Sequence, residues 1–253
     1  MPENAFDGAK ERAALDEFSQ SYNAEAPFDI KMRDYMMRSI SPFLRSGNCL
    51  QLGCGHGEQT LIFAQHFDSV TVIEGVGDFI AHTKKQAAAQ NITNIEFAHT
   101  LAEEFGTDQK FDNVILSHVL EHVHDDVGVL SHLSRFLAPG GRVFVIVPNA
   151  GAASRLIAVK MGILENSESL SKADLNAGHR RMYNLDKLCD VMRRAGLKIE
   201  HSGGIFFKPL ANFQFDALMG GDLISDEFME GCYELGKEHP TFCASIFAMA
   251  EKP

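Results

Sequence analysis

At 253 residues, 45% of them hydrophobic, the chain is long enough to bury a core without covalent staples. Its five cysteines are scattered and form no C-x-x-C pair, which excludes a disulfide framework or a zinc ribbon. The formal charge of −11 argues against a polyanionic partner, and no stretch reaches the uncharged length of a membrane span. A soluble cytoplasmic protein is expected, with no nucleic-acid or membrane partner.

In chain order, residues 9–20 and 30–45 show helical spacing, with Pro42 inside the second and Gly47 closing it. Residues 48–52 form a short apolar strand that runs into the turn "GCGHG" at 53–57. "EQTLIFAQHF" is helical, "SVTVIEG" is a β-branched strand ending on Glu74 and Gly75, and "DFIAHTKKQAAAQN" is a helix. "NIEFAH" reads as a strand. "KFDNVILSHVLEHV" starts as a strand and is expected to turn helical, and "DDVGVLSHLSRFLAPGG" reads as a helix stopped by Pro139-Gly140-Gly141. "RVFVIVPN" is the clearest strand. Residues 150–182 interrupt the alternation with short pieces and the cluster "GHRRMY", and Gly151, Gly162 and Gly178 offer hinges. A helix at 184–196 capped by Asn184 or Asp186, a strand at 197–207, a helix near 223–237 and a strand at 241–252 complete the chain.

Strand–helix alternation at this spacing predicts a Rossmann-like α/β fold: a doubly wound, mostly parallel sheet of seven strands. It would comprise a helical cover (1–47), a cofactor-binding half (48–149), a lid insertion (150–182) and the rest of the sheet (183–253), all one domain.

The glycine turn could serve a triphosphate, a dinucleotide or a sulfonium nucleoside. No lysine follows the glycines, and Glu58 would repel a phosphate, so the P-loop is excluded. The spacing G-x-G-x-G also lacks the third glycine of the dinucleotide fingerprint. Glu74, about twenty residues on, suits ribose hydroxyls in either nucleoside reading. "LQLGCGHG", "VTVIEG", "FDNVILSHVLEHV" and "LAPGGRVFVIVPN" together resemble, in order and spacing, the motifs of class I S-adenosylmethionine-dependent methyltransferases, nearest the ubiquinone-biosynthesis and bacterial small-molecule groups.

The resemblance implies that the last strand of the sheet runs antiparallel, and it implies S-adenosylmethionine as cofactor. It would be held by Gly53, Cys54 and Gly55 at its methionine and ribose, by Glu74 and Gly75 at the ribose, by Leu101, Ala102 and Glu103 at the adenine, and by Ser117 and His118 beneath the sulfonium. Two positions depart from the family: Gln51 and Leu101 stand where acids are usual.

Methyl transfer is an in-line displacement that needs positioning, and a base only when the nucleophile carries a proton. His118, the first candidate base, would share one helix face with Glu121 and His122. In ubiquinone-type enzymes the corresponding acid, acid and histidine bind a divalent metal, whereas here the first is His118. No metal is expected, with those three as the alternative ligand set. His179 is the second candidate base, while Arg180, Arg181 and Tyr183, with Tyr22 from the N-terminal cover, are candidate acceptor-binding residues. The expected reaction is methyl transfer to an oxygen or nitrogen of a small, anionic or neutral metabolite, sugar or peptide-derived product. The alternatives are a carboxyl O-methyltransferase, a silent cofactor-binding subunit and, more remotely, a nicotinamide oxidoreductase. The partners expected are a small-molecule or peptide acceptor and, as a homodimer, a second copy of the chain.

Overall fold

The computed structural model describes residues 6–20, 26–219, 221 and 223–252. Among them, seven strands form one sheet: β1 (Asn48–Leu52), β2 (Ser69–Glu74), β3 (Ile95–His99), β4 (Phe111–Ser117), β5 (Leu137–Pro148), β6 (Lys198–Phe207) and β7 (Cys243–Glu251). Their order is β3-β2-β1-β4-β5-β7-β6. The first five strands pair in parallel, and β7 inserts antiparallel between β5 and β6. The expected mostly parallel sheet with an antiparallel last strand is therefore present. The order reverses between β1 and β4, which opens a crevice at the carboxyl ends of the central strands.

Alternate residues of the central strands feed two cores. Leu50, Val114, Leu116, Val143 and Val145 face α5 (Asp126–Ser134) and α8 (Leu185–Arg194). Their neighbours Cys49, Ile115, Phe144 and Ile146 face α2 (Pro27–Ile40), α3 (Glu58–His66), α4 (Gly77–Ala89), α9 (Asn212–Met219) and α10 (Asp226–Glu238).

The helical N-terminal region divides physically in two. On α2, Phe28, Met32, Tyr35, Met36 and Ile40 recur at helical spacing and are all buried. At about 1.5–3 kcal/mol per buried apolar side chain, this helix belongs to the core. The preceding helix α1 (Gly8–Ser19) buries no residue and is held at its rim by ion pairs of Arg12 with Glu104 and of Glu11 with Arg180.

Three sequence expectations change. The stretch after β4 does not become helical: His118 takes a left-handed φ of 54°, and residues 118–124 form turns before α5 starts at Asp126. A left-handed residue cannot begin a right-handed helix. The Pro139-Gly140-Gly141 stop lies inside β5, whose start pairs Leu137 with Phe111 before the register shifts. A Cβ at Gly141 would meet the Phe111 carbonyl at 2.7 Å, so only glycine lets the strand pass there. Finally, α9 is an additional helix before α10. Residues 150–182 carry α6 (Ala153–Lys160) and α7 (Lys172–Asn176), and Asn184 caps α8 by accepting from the Lys187 amide at 2.8 Å.

Candidate active site

At the β1 tip the chain turns with Gly53, Gly55 and Gly57 at φ of 73°, 51° and 95°, all left-handed. Protein contacts add to this demand for glycine. A Cβ at Gly53 would stand 2.7 Å from Val119 Cγ2, and one at Gly57 would stand 2.6 Å from the Thr83 side chain. The glycines thus bring the β4 turn and α4 close, whatever ligand lies above them.

Glu74 is buried at the β2 tip, where its two oxygens accept from the Cys54 amide at 2.8 Å and the Val76 amide at 2.9 Å. A carboxylate has about four acceptor sites, so two are left for a diol. Gln51, in place of the usual acid, donates to the Gly53 carbonyl at 2.8 Å, while its own oxygen is buried without a partner, as is the Gln59 amide nitrogen. These polar atoms beside the turn fit a polar ligand such as the methionine end of the cofactor. Leu101 and Ala102 are buried at the β3 end and offer an apolar wall. Burial raises the Glu103 carboxyl above its ordinary pKa. Helix α1 lies over this wall: a Cβ at Gly75 would meet Leu15 at 2.8 Å and Leu101 at 3.3 Å.

The β4 tip carries the second half of the site. Ser117 points its hydroxyl at the Met36 sulfur, 3.8 Å away. His118 donates its amide to Ile146 at 2.8 Å, and its Nε2 shares a hydrogen bond with the Ser245 hydroxyl at 3.1 Å. Partial desolvation in the crevice, with the positive potential of His179, His122, Arg33 and Lys208, lowers its pKa. The ring is 38% exposed, and the lowered pKa keeps it neutral at physiological pH.

Glu121 is 1% exposed, and neither carboxylate oxygen has a hydrogen-bond partner. Its Oε1 lies 3.8 Å from His118 Nδ1 and 3.8 Å from His122 Nε2. Burial pushes its pKa up to about 7, against the lowering influence of His179. His122 Nδ1 donates to the Gly178 carbonyl at 3.2 Å, and the His122 and His179 rings meet edge to face, 4.9 Å between centroids. The expected grouping of His118, Glu121 and His122 is therefore real, but a turn makes it, and His179 joins them from the 150–182 segment.

Asp174 was not foreseen. Its Oδ1 faces His179 Nδ1 at 3.5 Å, an ion-pair distance that falls short of hydrogen-bond geometry. Its other oxygen accepts from the Ser171 amide and hydroxyl, each at 2.7 Å, and from Arg155 at 2.9 Å. Desolvation works against the charged form, yet His179, Ser171 and Arg155 hold its carboxyl well below the usual range. In sequence, Ser171 and Asp174 read only as a helix start, since they do form the capping box of α7. Lys208, after β6, was also missed: burial pushes its pKa down to about 8, and its ammonium bonds Asn212 and lies over the Phe28 ring.

The other candidates fall into scaffold positions. Arg181 donates to the Val123 and His124 carbonyls at 2.7 and 2.8 Å, clamping the turn after β4. Tyr183 is fully buried, and its hydroxyl donates to Asp126 at 2.7 Å, so its side chain lines the core instead of an acceptor site. Arg180 bonds Glu11 of α1 at 2.8 and 3.0 Å. Tyr22 lies outside the described residues.

A family model described as "Methyltransferase domain" matches residues 28–202, more than two thirds of the chain. The chain belongs to the methyltransferase-domain family. This methyltransferase is 28% identical over 163 residues to the ubiquinone biosynthesis O-methyltransferase of Saccharophagus degradans, covering 64% of this chain and 67% of that one. It is 27% identical over 165 residues to that of Aeromonas salmonicida, covering 64% and 68%. Its fold is that of the N-methyltransferase NodS from Bradyrhizobium japonicum WM9 bound to S-adenosylhomocysteine (TM-score 0.59, 15% identity, 96% and 98% covered). It is equally that of DhpI in its SAM–HEP complex (TM-score 0.61, 14% identity, 98% and 99% covered). The methyltransferase thus has the class I architecture, and its seven-stranded order places the glycine turn and the β4 tip on one crevice.

Proposed function

We propose that the chain moves a methyl group from S-adenosylmethionine to an oxygen, or secondarily a nitrogen, of a small acceptor held between the β4 tip and the 150–182 segment. The observation that carries this reading is the buried, unpartnered Glu121 carboxylate, ringed by His118, His122 and His179, two residues from the Val119 contact with the glycine turn. Unsatisfied polar groups are costly to bury, and their concentration beside a nucleoside crevice marks a place built for a ligand. The O-methyltransferase relatives favour oxygen.

Each part of the site has one task in this reading. Residues 53–55 and Glu74 hold the cofactor's methionine and ribose, and the wall at Leu101–Glu103 takes the adenine. His118, held neutral, accepts a hydrogen bond from the acceptor and aims its lone pair along the sulfur–methyl axis. His179 supplies a second imidazole for the acceptor proton, and the 150–182 segment excludes water. An anionic feature of the acceptor would be met by the positive charges of Arg33 and Lys208, which reach His118.

Calorimetry with S-adenosylmethionine and S-adenosylhomocysteine is the test, followed by labelled methyl transfer to a panel of hydroxylated acceptors. Both nucleosides should bind, and Glu74→Ala should weaken them by about 1.5–3 kcal/mol, the worth of a hydrogen bond to a charged group. Failure of either to bind the wild type would end the proposal.

A further inference from the structure

Strand β6 ends on a backbone outlier. Phe206 takes a left-handed φ of 66°, which bulky side chains rarely adopt. It is fully buried against the rings of Phe28, Tyr35 and Phe215, at 5.4 to 5.5 Å between centroids. Packing on three sides holds that strain, and strain held in this way concentrates at functional sites. Two residues later the main chain of Lys208 is fixed on both sides. Its amide donates to the Phe242 carbonyl at 3.3 Å, and its carbonyl accepts from the Ser154 amide at 2.8 Å. Ser154 lies in the first turn of α6, so Lys208 stands where β6 meets the 150–182 segment.

The Lys208 side chain is half-buried, and its ammonium bonds the Asn212 amide oxygen and lies over the Phe28 ring at 5.6 Å. Among the described residues, no carboxylate stands at ion-pair distance from it. Asp29, Asp174 and Asp216 are near enough to act on its charge, yet each is engaged elsewhere. Asp29 accepts from the Asn212 nitrogen at 3.2 Å, so one side-chain amide spans the two charges and keeps them apart. Asp216 accepts from the Phe28 amide at 2.9 Å, and Asp174 is held by Ser171 and Arg155. An ammonium has three donors, and Asn212 uses one. The charge of Lys208 also reaches His118, the group assigned to the acceptor hydroxyl.

We infer that Lys208 determines acceptor specificity by binding a carboxylate on the molecule whose hydroxyl is methylated, so that the acceptor is a hydroxycarboxylic acid. The hydroxyl rests on the methyl-transfer reading above, whereas the carboxylate site does not. A carboxylate brings one negative charge, which the ammonium balances. A phosphate monoester brings about −1.5 to −2, and the excess would face the potential of Asp29, Asp174 and Asp216. An amide or ester brings none and leaves the ammonium unbalanced in a desolvated place. Burial already pushes the Lys208 pKa down to about 8, and a bound carboxylate would relieve that penalty.

The test is competitive acetylation of the full chain by a trace of acetic anhydride, read at each lysine by peptide mapping, with the other lysines as internal standards. Propionate, propionamide and methyl phosphate are added in turn at equal concentration and ionic strength, with S-adenosylhomocysteine present and absent. Saturating propionate should slow acetylation at Lys208 by about tenfold and at no other lysine, since a hydrogen bond to a charged group is worth about that factor or more. Propionamide should leave Lys208 unprotected, and methyl phosphate should protect far less. Lys208→Met should raise KM for hydroxycarboxylic acids by about 10–150-fold, with Lys208→Arg recovering part of it. S-adenosylhomocysteine affinity should stay within about twofold in both variants, which a merely structural lysine would not allow. Unprotected Lys208 in a chain that binds the nucleoside would overturn the inference. So would equal protection by methyl phosphate or propionamide, or methylation of hydroxy amides as fast as of the acids. Protection by propionate in a chain that binds no nucleoside would instead defeat the methyltransferase proposal and leave the carboxylate site standing.

Discussion

The two halves of the crevice are built from different materials. Around the β1 and β2 tips, the groups aimed at a ligand are main-chain atoms of a glycine turn and one carboxylate, all within residues 51–76 and braced by the Cys54 and Val76 amides. Around the β4 tip they are side chains drawn from remote parts of the chain: His118, Glu121 and His122 from one turn, Asp174 and His179 from the 150–182 segment, and Ser245 from β7. Among the described residues, the first half leaves only neutral side-chain atoms, on Gln51, Gln59 and Thr60, without a partner. The second leaves a buried carboxylate without a hydrogen bond. A site whose geometry is main chain holds its shape through the fold alone, whereas a site of converging side chains carries unsatisfied polarity until its ligand arrives.

That contrast breaks most visibly at Gly57. Alanine there faces a left-handed φ of 95° and a contact of 2.6 Å with Thr83. About 1–2 kcal/mol of backbone strain and 1–3 of overpacking should lower stability in urea by about 2–5 kcal/mol and weaken the cofactor with it. An unchanged denaturation midpoint would mean that the turn is not the rigid half.

The other half should respond with the opposite sign. Glu121→Leu replaces an unpartnered buried carboxyl with an apolar group of similar size. It should raise stability by about 1–3 kcal/mol while abolishing methyl transfer. A destabilised Glu121→Leu protein would show that the carboxylate has a structural partner after all.

Arg181→Ala sharpens the comparison with the smallest effect. Losing its bonds to the Val123 and His124 carbonyls should cost about 1–2 kcal/mol of stability and reduce kcat, since the β4 turn loosens. Cofactor affinity, measured by calorimetry, should stay within about twofold. An equal loss of cofactor affinity would make the two halves one mechanical unit.

This division also explains what could be read from the chain. The glycine turn, Glu74 and the strand–helix alternation are local patterns, each contained within a few neighbouring residues, so the parallel sheet and its crevice were legible. His118, Glu121 and His122 were correctly grouped but for the wrong reason, because nothing in "SHVLEHV" announces that His118 adopts φ of 54°. Asp174 was hidden behind its capping role, and Ser245 reaches His118 only because β7 runs back through the sheet. Arg181 and Tyr183 look like a ligand-binding cluster in sequence, yet their partners are carbonyls and Asp126 more than fifty residues earlier. Chemistry made by distant partners leaves no local trace.

The placement of β7 has one more consequence, for the order in which the chain can assemble. Among the described residues, strand β6 finds its only strand partner in β7, which also supplies the outer neighbour of β5. During synthesis, β1 to β5 can pair as they emerge. The apolar Ile205 and Phe206 of β6, by contrast, must wait for a segment made some forty residues later. Until then the flank of β5 is an open edge, and edges of that kind invite pairing with other chains. The last strand therefore acts as a latch on folding: the nascent protein is most prone to aggregate in the interval between β6 and β7, and a chaperone would be needed most at that moment.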